Sequence, residues 1–294
     1  MPELPEVEVV RAGLEPAVTG ARVEAITVFD QRSLRRHDGP SEDFVDQLTG
    51  RTIVSAERRG KFLWLPLAGH GLDAGPQALV VHLGMSGQVL LRDRATDDNL
   101  TRIRIELEHV DHGPLRLNFV DQRIFGSMAI DSLAPTVDHP EQLVPSAVAH
   151  IARDPLDERF DDRLFYERLS RRNSGIKRAL LDQTLISGIG NIYADESLWA
   201  ARIHYEQSAA SLSRAKARLL LAEVRLVLAK ALGEGGTSFD AQYVNVNGAS
   251  GYFSHSLNAY GQQGKPCPRC GTLIVRESFM NRGSHFCPKC QRLR

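Results

Sequence analysis

The chain has 294 residues, of which 42% are hydrophobic and 24% charged, the composition of a globular protein with enough length for two domains that each bury a core. Its 36 basic and 36 acidic residues cancel, so net charge gives no reason to expect or exclude a polyanionic partner. No apolar run approaches the roughly 20 residues needed to cross a bilayer, and the start lacks a signal peptide's basic and then apolar layout, so a cytoplasmic protein without a membrane partner is expected.

In chain order, Val7, Val10, Leu14 and Val18 recur at spacings of three and four, which predicts an amphipathic helix from Glu6 to about Thr19. Strand patterns follow in "TIVSAERRGKFLWLPL", "ALVVHLGMSGQVLL" and "TRIRIELEHVDHGPLRLNFVD", where Ile103, Ile105 and Leu107 face away from Arg102, Arg104 and Glu106. Several strands at such short spacing imply a β-sandwich or barrel. Between Asp131 and Asp162, Pro135, Pro140, Pro145 and Pro155 interrupt the pattern and suggest a domain boundary. Helical periodicity then takes over, ending in a long segment that starts beside Ser211 and Ser213 and stops at Gly233. The stretch "GGTSFDAQYVNVNGASGYF" has no period and reads as a loop.

All four cysteines, Cys267, Cys270, Cys287 and Cys290, form two C-x-x-C pairs separated by sixteen residues. That spacing predicts one tetrahedral Zn2+ site, and four protein ligands leave no open position, so the ion is structural. The competing readings of this spacing are two disulfides or a redox pair, and nothing points to an oxidising compartment. Between Asn258 and Arg294 there are seven basic residues against Glu277 alone, whereas Met1 to Gly50 holds ten acids and five bases. A zinc-stiffened basic hairpin with Arg282 near its tip suits phosphate binding.

The N-terminus offers a second chemistry. Removal of Met1 exposes the secondary amine of Pro2, which can attack an aldehyde-level carbon and form an iminium cation. Glu3 adjoins it and Glu6 follows one turn later; locally, both also fit an acidic helix start.

Three motifs in order, "PELPEVE", "GIGNIYADESLW" and "YGQQGKPCPRCGT…RGSHFCPKCQR", closely resemble the bacterial formamidopyrimidine-DNA glycosylases over almost the whole chain. The resemblance implies a multidomain α+β fold: an N-terminal two-layer β-sandwich with a flanking helix, then a C-terminal helix-two-turns-helix domain plus a zinc-finger β-hairpin. Expected boundaries are 1–135 for the sandwich, 136–155 for a linker, 156–257 for the helical domain and 258–294 for the hairpin. The implied function is base-excision repair of duplex DNA containing oxidised purines or abasic sites; the sequence carries no oligomerisation signal, so a monomer is expected. The damaged nucleotide flips out of the stack, because the glycosidic carbon is inaccessible inside a duplex.

On that resemblance, Pro2 is the nucleophile, Glu3 the general acid, Glu6 a supporting acid, Lys61 the lysine of β-elimination and phosphate contact, and Arg282 the finger arginine. Met85, Arg123 and Phe125 fall where the family inserts a wedge into the duplex, filling the void left by the flipped base. Arg172, Lys177 and Asn191, with Arg171 beside them, extend a phosphate track. Residues 237–243 match the loop that covers an everted 8-oxoguanine. The chain departs from many relatives at Asn99 or Thr101, and at Asn173, where polar residues stand in for basic ones, and at Ile124, where some relatives have a second arginine. Alternatives are a sister glycosylase acting on oxidised pyrimidines and a zinc-finger damage sensor without chemistry.

Overall fold

The computed structural model describes residues 2–69, 75–237, 246 and 251–293. They form two compact units, one comprising 2, 6–69, 75–150, 246 and 251, the other 3–5, 151–237 and 252–293.

In the first unit the helix α1 (Leu4–Val18) continues from Glu6 onward. Its predicted stripe is realised: Val7, Leu14 and Val18 are fully buried and Val10 nearly so. The strands are β1 (Arg22–Val28), β2 (Thr52–Ile53), β3 (Glu57–Arg59), β4 (Phe62–Ala68), β5 (Gln77–His82), β6 (Gly87–Arg92), β7 (Thr101–His109), β8 (Gly113–Asp121), β9 (Ser127–Pro135) and β10 (Leu143–Pro145), with helix α2 (Ser41–Leu48) between β1 and β2. They hydrogen-bond in the order β10-β9-β5-β4-β2-β1-β7-β8-β6, with β3 paired to β4. Leu63 and Leu65 of β4, Leu79 and Val81 of β5, Ile103, Ile105 and Leu107 of β7 and Phe119 of β8 share one core with α1. The result is the expected β-sandwich. β7 alternates as its sequence predicts, because one face of an antiparallel sheet packs inward and the other meets water.

The segment 136–155, expected as a linker, contains β10, which pairs with the end of β9. An edge strand tolerates proline because one of its sides needs no ladder donors, so the prolines that suggested a break coexist with pairing.

The second unit contains α3 (Asp162–Ser170), α4 (Ile176–Leu181), α5 (Asn191–Ala201), α6 (Arg214–Gly233) and the hairpin β11 (Val275–Phe279) with β12 (Arg282–Phe286). Ser213 caps α6 by accepting the Lys216 N–H. Leu198, Leu220, Leu221, Val224 and Leu228 join Leu4 and Phe286 in its core. Among the described residues, no helix is long and apolar enough to cross a membrane. The loop reading of residues 238–250 lies outside the described residues, apart from Val246.

Candidate active site and metal centre

In the first unit, Pro2, Val7, Lys61, His82, Leu83, Gly84, Met85 and Phe125 line a cavity of about 270 Å³. Pro2, expected as the nucleophilic amine, and Lys61, expected from the resemblance to serve β-elimination and phosphate contact, therefore share one pocket with two of the expected wedge residues. Met85 and Phe125 are 40% and 44% exposed, unusual for large apolar side chains and suited to insertion into another surface. Arg123 is also exposed, and its guanidinium lies over the Phe125 ring at 5.5 Å.

His82, which the sequence reading passed over, completes the pocket. It stacks on Phe62 with ring centroids 5.1 Å apart, and its Nδ1 is buried with no hydrogen-bond partner among the described residues. Burial, aided by the charges of Arg36, Arg35 and Lys61, pushes the imidazole down to about 4, so it is neutral at physiological pH. A stability prediction follows from the sign of that shift. As pH falls from about 6.5 toward 4, the unfolded chain takes up a proton that the folded one refuses, so stability declines across that window. Denaturant unfolding at pH 7.5 and pH 5 should differ by about 2 kcal/mol from this group, and His82→Phe should remove that share. An unchanged pH slope in the variant would contradict it.

In the second unit, Glu3 acts as the N-terminal cap of α5. Its carboxylate accepts the N–H groups of Gly190 at 2.6 Å, Ile192 at 2.9 Å and Tyr193 at 3.3 Å. These are donors that the first turn of a helix leaves without intrahelical partners, at the positive end of its dipole. A side chain at Gly190 would overlap the Glu3 carboxyl, so glycine there is the condition for this contact. Glu3 is 1% exposed, and Glu6, in the first unit, is also buried.

The rest of α5 fastens the zinc hairpin. Asp195, fully surrounded by protein, pairs with Lys177 at 2.6 Å, accepts the His285 N–H at 2.8 Å and contacts His285 Nδ1 at 3.0 Å. Lys177 also donates to the Gly283 carbonyl and the Ser284 hydroxyl, and lies over the Phe279 ring. Lys177, expected on a phosphate track, is thus wholly buried, and its ammonium holds the hairpin strand that begins with Arg282. Asn191 is 8% exposed and donates its amide to the Gly283 carbonyl, a similar internal use. Glu196 accepts the N–H groups of Asn258, Ala259 and Tyr260, anchoring the approach to the zinc module.

The four cysteine Sγ atoms all lie within 4.8 Å of one another, and those of Cys270 and Cys287 are 3.5 Å apart. Thiolates about 2.3 Å from one tetrahedral Zn2+ stand about 3.8 Å apart, so this set fits one ion. All four are free cysteines, as a thiolate metal site requires. Arg282 opens β12 opposite Phe279, at the exposed turn of the hairpin. Of the other expected contacts, Arg172 is half-exposed and paired with Asp182 at 2.9 Å, while Asn99 and Asn173 are exposed. The loop 238–243 lies outside the described residues.

Family models match residues 1–128 as the formamidopyrimidine-DNA glycosylase N-terminal domain, 151–242 as its H2TH domain and 264–293 as a zinc finger found in FPG and IleRS. The chain belongs to the formamidopyrimidine-DNA glycosylase family. A formamidopyrimidine-DNA glycosylase of Leifsonia xyli is 66% identical, with all of both chains covered. One from Streptomyces avermitilis is 51% identical over 99% of this chain and 98% of its own. The fold is also that of a variant Lactococcus lactis enzyme of the family solved with DNA containing Fapy-dG, at 32% identity, TM-score 0.82 and coverage of 99% and 100%. The same enzyme has been solved with DNA containing an abasic site, at TM-score 0.80, 32% identity and 99% coverage of both chains.

Proposed function

We propose that this protein is a bifunctional DNA repair glycosylase that removes oxidised purines, such as 8-oxoguanine and formamidopyrimidines, from duplex DNA and cleaves the resulting abasic site. The observation that carries this reading is the placement of Pro2 in a cavity with Lys61 and His82, next in sequence to a Glu3 carboxyl held by three backbone donors.

The chemistry is as follows. Pro2, freed of Met1, attacks C1′ of the flipped nucleotide through its amine lone pair while the C1′–base bond breaks. The attached nitrogen gives up its proton, which neutralises the departing base; Glu3 protonates the deoxyribose ring oxygen, and as the C1′–O4′ bond breaks the restored nitrogen lone pair forms the iminium. The N–H groups at the start of α5 stabilise the carboxylate left behind. The iminium acidifies the C2′ hydrogen; its removal expels the 3′-phosphate, and a second elimination expels the 5′-phosphate. Lys61 and Arg282 supply positive charge for those phosphates. Met85, Arg123 and Phe125 occupy the vacated stack, and Arg123 hydrogen-bonds the orphaned base. Arg172 and the exposed Asn99 and Asn173 are peripheral phosphate contacts. Zn2+, held by Cys267, Cys270, Cys287 and Cys290, maintains the hairpin and takes no part in the reaction. The enzyme works as a monomer in the cytoplasm, associated with the nucleoid through DNA.

Cleavage of a duplex with 8-oxoguanine opposite cytosine, compared with one containing thymine glycol, tests the substrate class. A higher kcat/KM on 8-oxoguanine is expected. Preference for thymine glycol would transfer the protein to the oxidised-pyrimidine enzymes.

A further inference from the structure

The wedge residues sit on two loops of the first unit, Gly84–Ser86 and Arg123–Gly126, and nothing in the resemblance says what holds those loops in place. Wedges work only if the side chains that enter the stack are already aimed, because ordering a loop at the moment of insertion subtracts from the energy available to unstack a base.

Two side chains fix the loops. Asp121, at the end of β8 and fully buried, accepts the Ser86 hydroxyl at 2.6 Å and the Arg123 N–H at 3.1 Å on one oxygen, and the Gly126 N–H at 2.7 Å on the other. One carboxylate thus joins the residue after Met85 to the residues on either side of Ile124–Phe125. From the opposite direction Arg35, just past the 3-10 turn Gln31–Leu34, donates to the carbonyls of Ile124 at 2.9 Å, Gly126 at 2.8 Å, and Phe125. Three consecutive carbonyls converge on a single guanidinium, whose rigid fork suits such a task.

The backbone conformation shows why a clamp is needed. Ile124 has φ 56°, a left-handed geometry that a β-branched residue adopts only when its surroundings over-determine it. Gly84, at φ 63°, packs its backbone against Phe125 so closely that any Cβ would overlap the Phe125 carbonyl. The two loops therefore form one body, with only the side chains of Met85, Arg123 and Phe125 projecting outward.

We infer that Arg35 and Asp121 are positioning residues that lock Met85 and Phe125 into a single preformed wedge for lesion eversion. The inference rests on the wedge reading given above. Arg35 is an exposed residue, so Arg35→Met should leave the melting temperature unchanged while releasing three carbonyls. Misplacement of the wedge by about an ångström should lower excision of 8-oxoguanine from duplex DNA on the order of 10- to 100-fold. Cleavage of a preformed abasic site in single-stranded DNA, where no stack is entered, should fall far less, so the ratio of the two activities drops. Stopped-flow fluorescence of 2-aminopurine beside the lesion should show slowed eversion, with partial recovery in Arg35→Lys. Asp121→Asn, which loses the acceptor for the Gly126 N–H, should change the same ratio, and its effect should be non-additive with that of Arg35→Met.

Equal losses on both substrates, or a salt dependence of binding whose slope falls by about one, would make Arg35 a phosphate contact and overturn the proposal. Phe125→Ala separates the layers. Impaired eversion in Phe125→Ala with normal eversion in Arg35→Met refutes the clamp alone, whereas normal eversion in Phe125→Ala refutes the wedge and the clamp together.

Discussion

A protein that keeps Met1, or carries even one residue ahead of Pro2, should form no covalent adduct with abasic DNA under borohydride and should neither excise a base nor cut the strand. Extension turns the Pro2 amine into a tertiary amide, whose nitrogen lone pair is delocalised into the carbonyl and cannot form an iminium. The effect is loss of the reaction, since the other amine lining the pocket belongs to Lys61, and a lysine amine is ordinarily protonated at pH 7, while a free α-amine titrates near neutrality. Glu3→Gln refines the expectation. It should lower base excision by about 10²- to 10⁴-fold, the usual worth of a positioned general acid, yet leave borohydride trapping on a preformed abasic site, which needs no leaving base. Edman sequencing or intact mass of the adduct locates the bond. A trapped adduct on extended protein, or on a lysine of processed protein, would place the nucleophile elsewhere.

Removing zinc should have the next largest effect. The hairpin's own core is small, built from Cys267, Ile274 and Cys287 with Trp199 packed against them, too little apolar surface to hold a shape without the metal. In zinc-finger peptides structural Zn2+ contributes about 10–16 kcal/mol to folding, so loss of the ion should release the hairpin. Release has a further cost inside the second unit. Asp195 loses the His285 N–H, and Lys177 loses Gly283 and Ser284, leaving a buried pair with fewer partners. Each hydrogen bond lost from such a charged pair is worth about 1.5–3 kcal/mol. Chelation, with metal content verified, should therefore abolish binding to abasic duplex DNA and lower the protection of α4 and α5 amides in hydrogen exchange. The strands of the sandwich should keep theirs. Metal-free protein that still binds the duplex as tightly as the holoprotein would refute this account.

What the sequence made legible is what local periodicity and spacing can carry. The α1 stripe, the alternation of β7 and the thiolate tetrahedron each depend on residues close in the chain, and each is found as expected. Lys177 was misplaced for the opposite reason. Its partners are Asp195, Gly283 and Ser284, the last two 106 and 107 residues downstream, and no local rule distinguishes a buried paired lysine from a solvated one. α5 is buried nearly all round, so Asn191, Asp195 and Glu196 have no polar face to mark them. Periodicity is silent where both faces are inside. Arg35 clamps carbonyls 89 to 91 residues away, and His82 reads locally as the end of a strand. The pairing of β10 within 136–155 was hidden because a proline-bearing edge strand and a linker share the same composition.

The cap that Glu3 provides for α5 also sets a schedule. Its partners lie 187, 189 and 190 positions downstream, so the cap can form only when nearly two thirds of the chain exists. At about 5–20 residues per second, a ribosome needs on the order of 10–40 s to bring those partners into being. For that interval Glu3 lacks the donors that hold it in the folded chain, and the segment beside it has no helix to cap. On the chemistry proposed above, synthesis thereby leaves time for the amine to be unmasked before the residue beside it is buried.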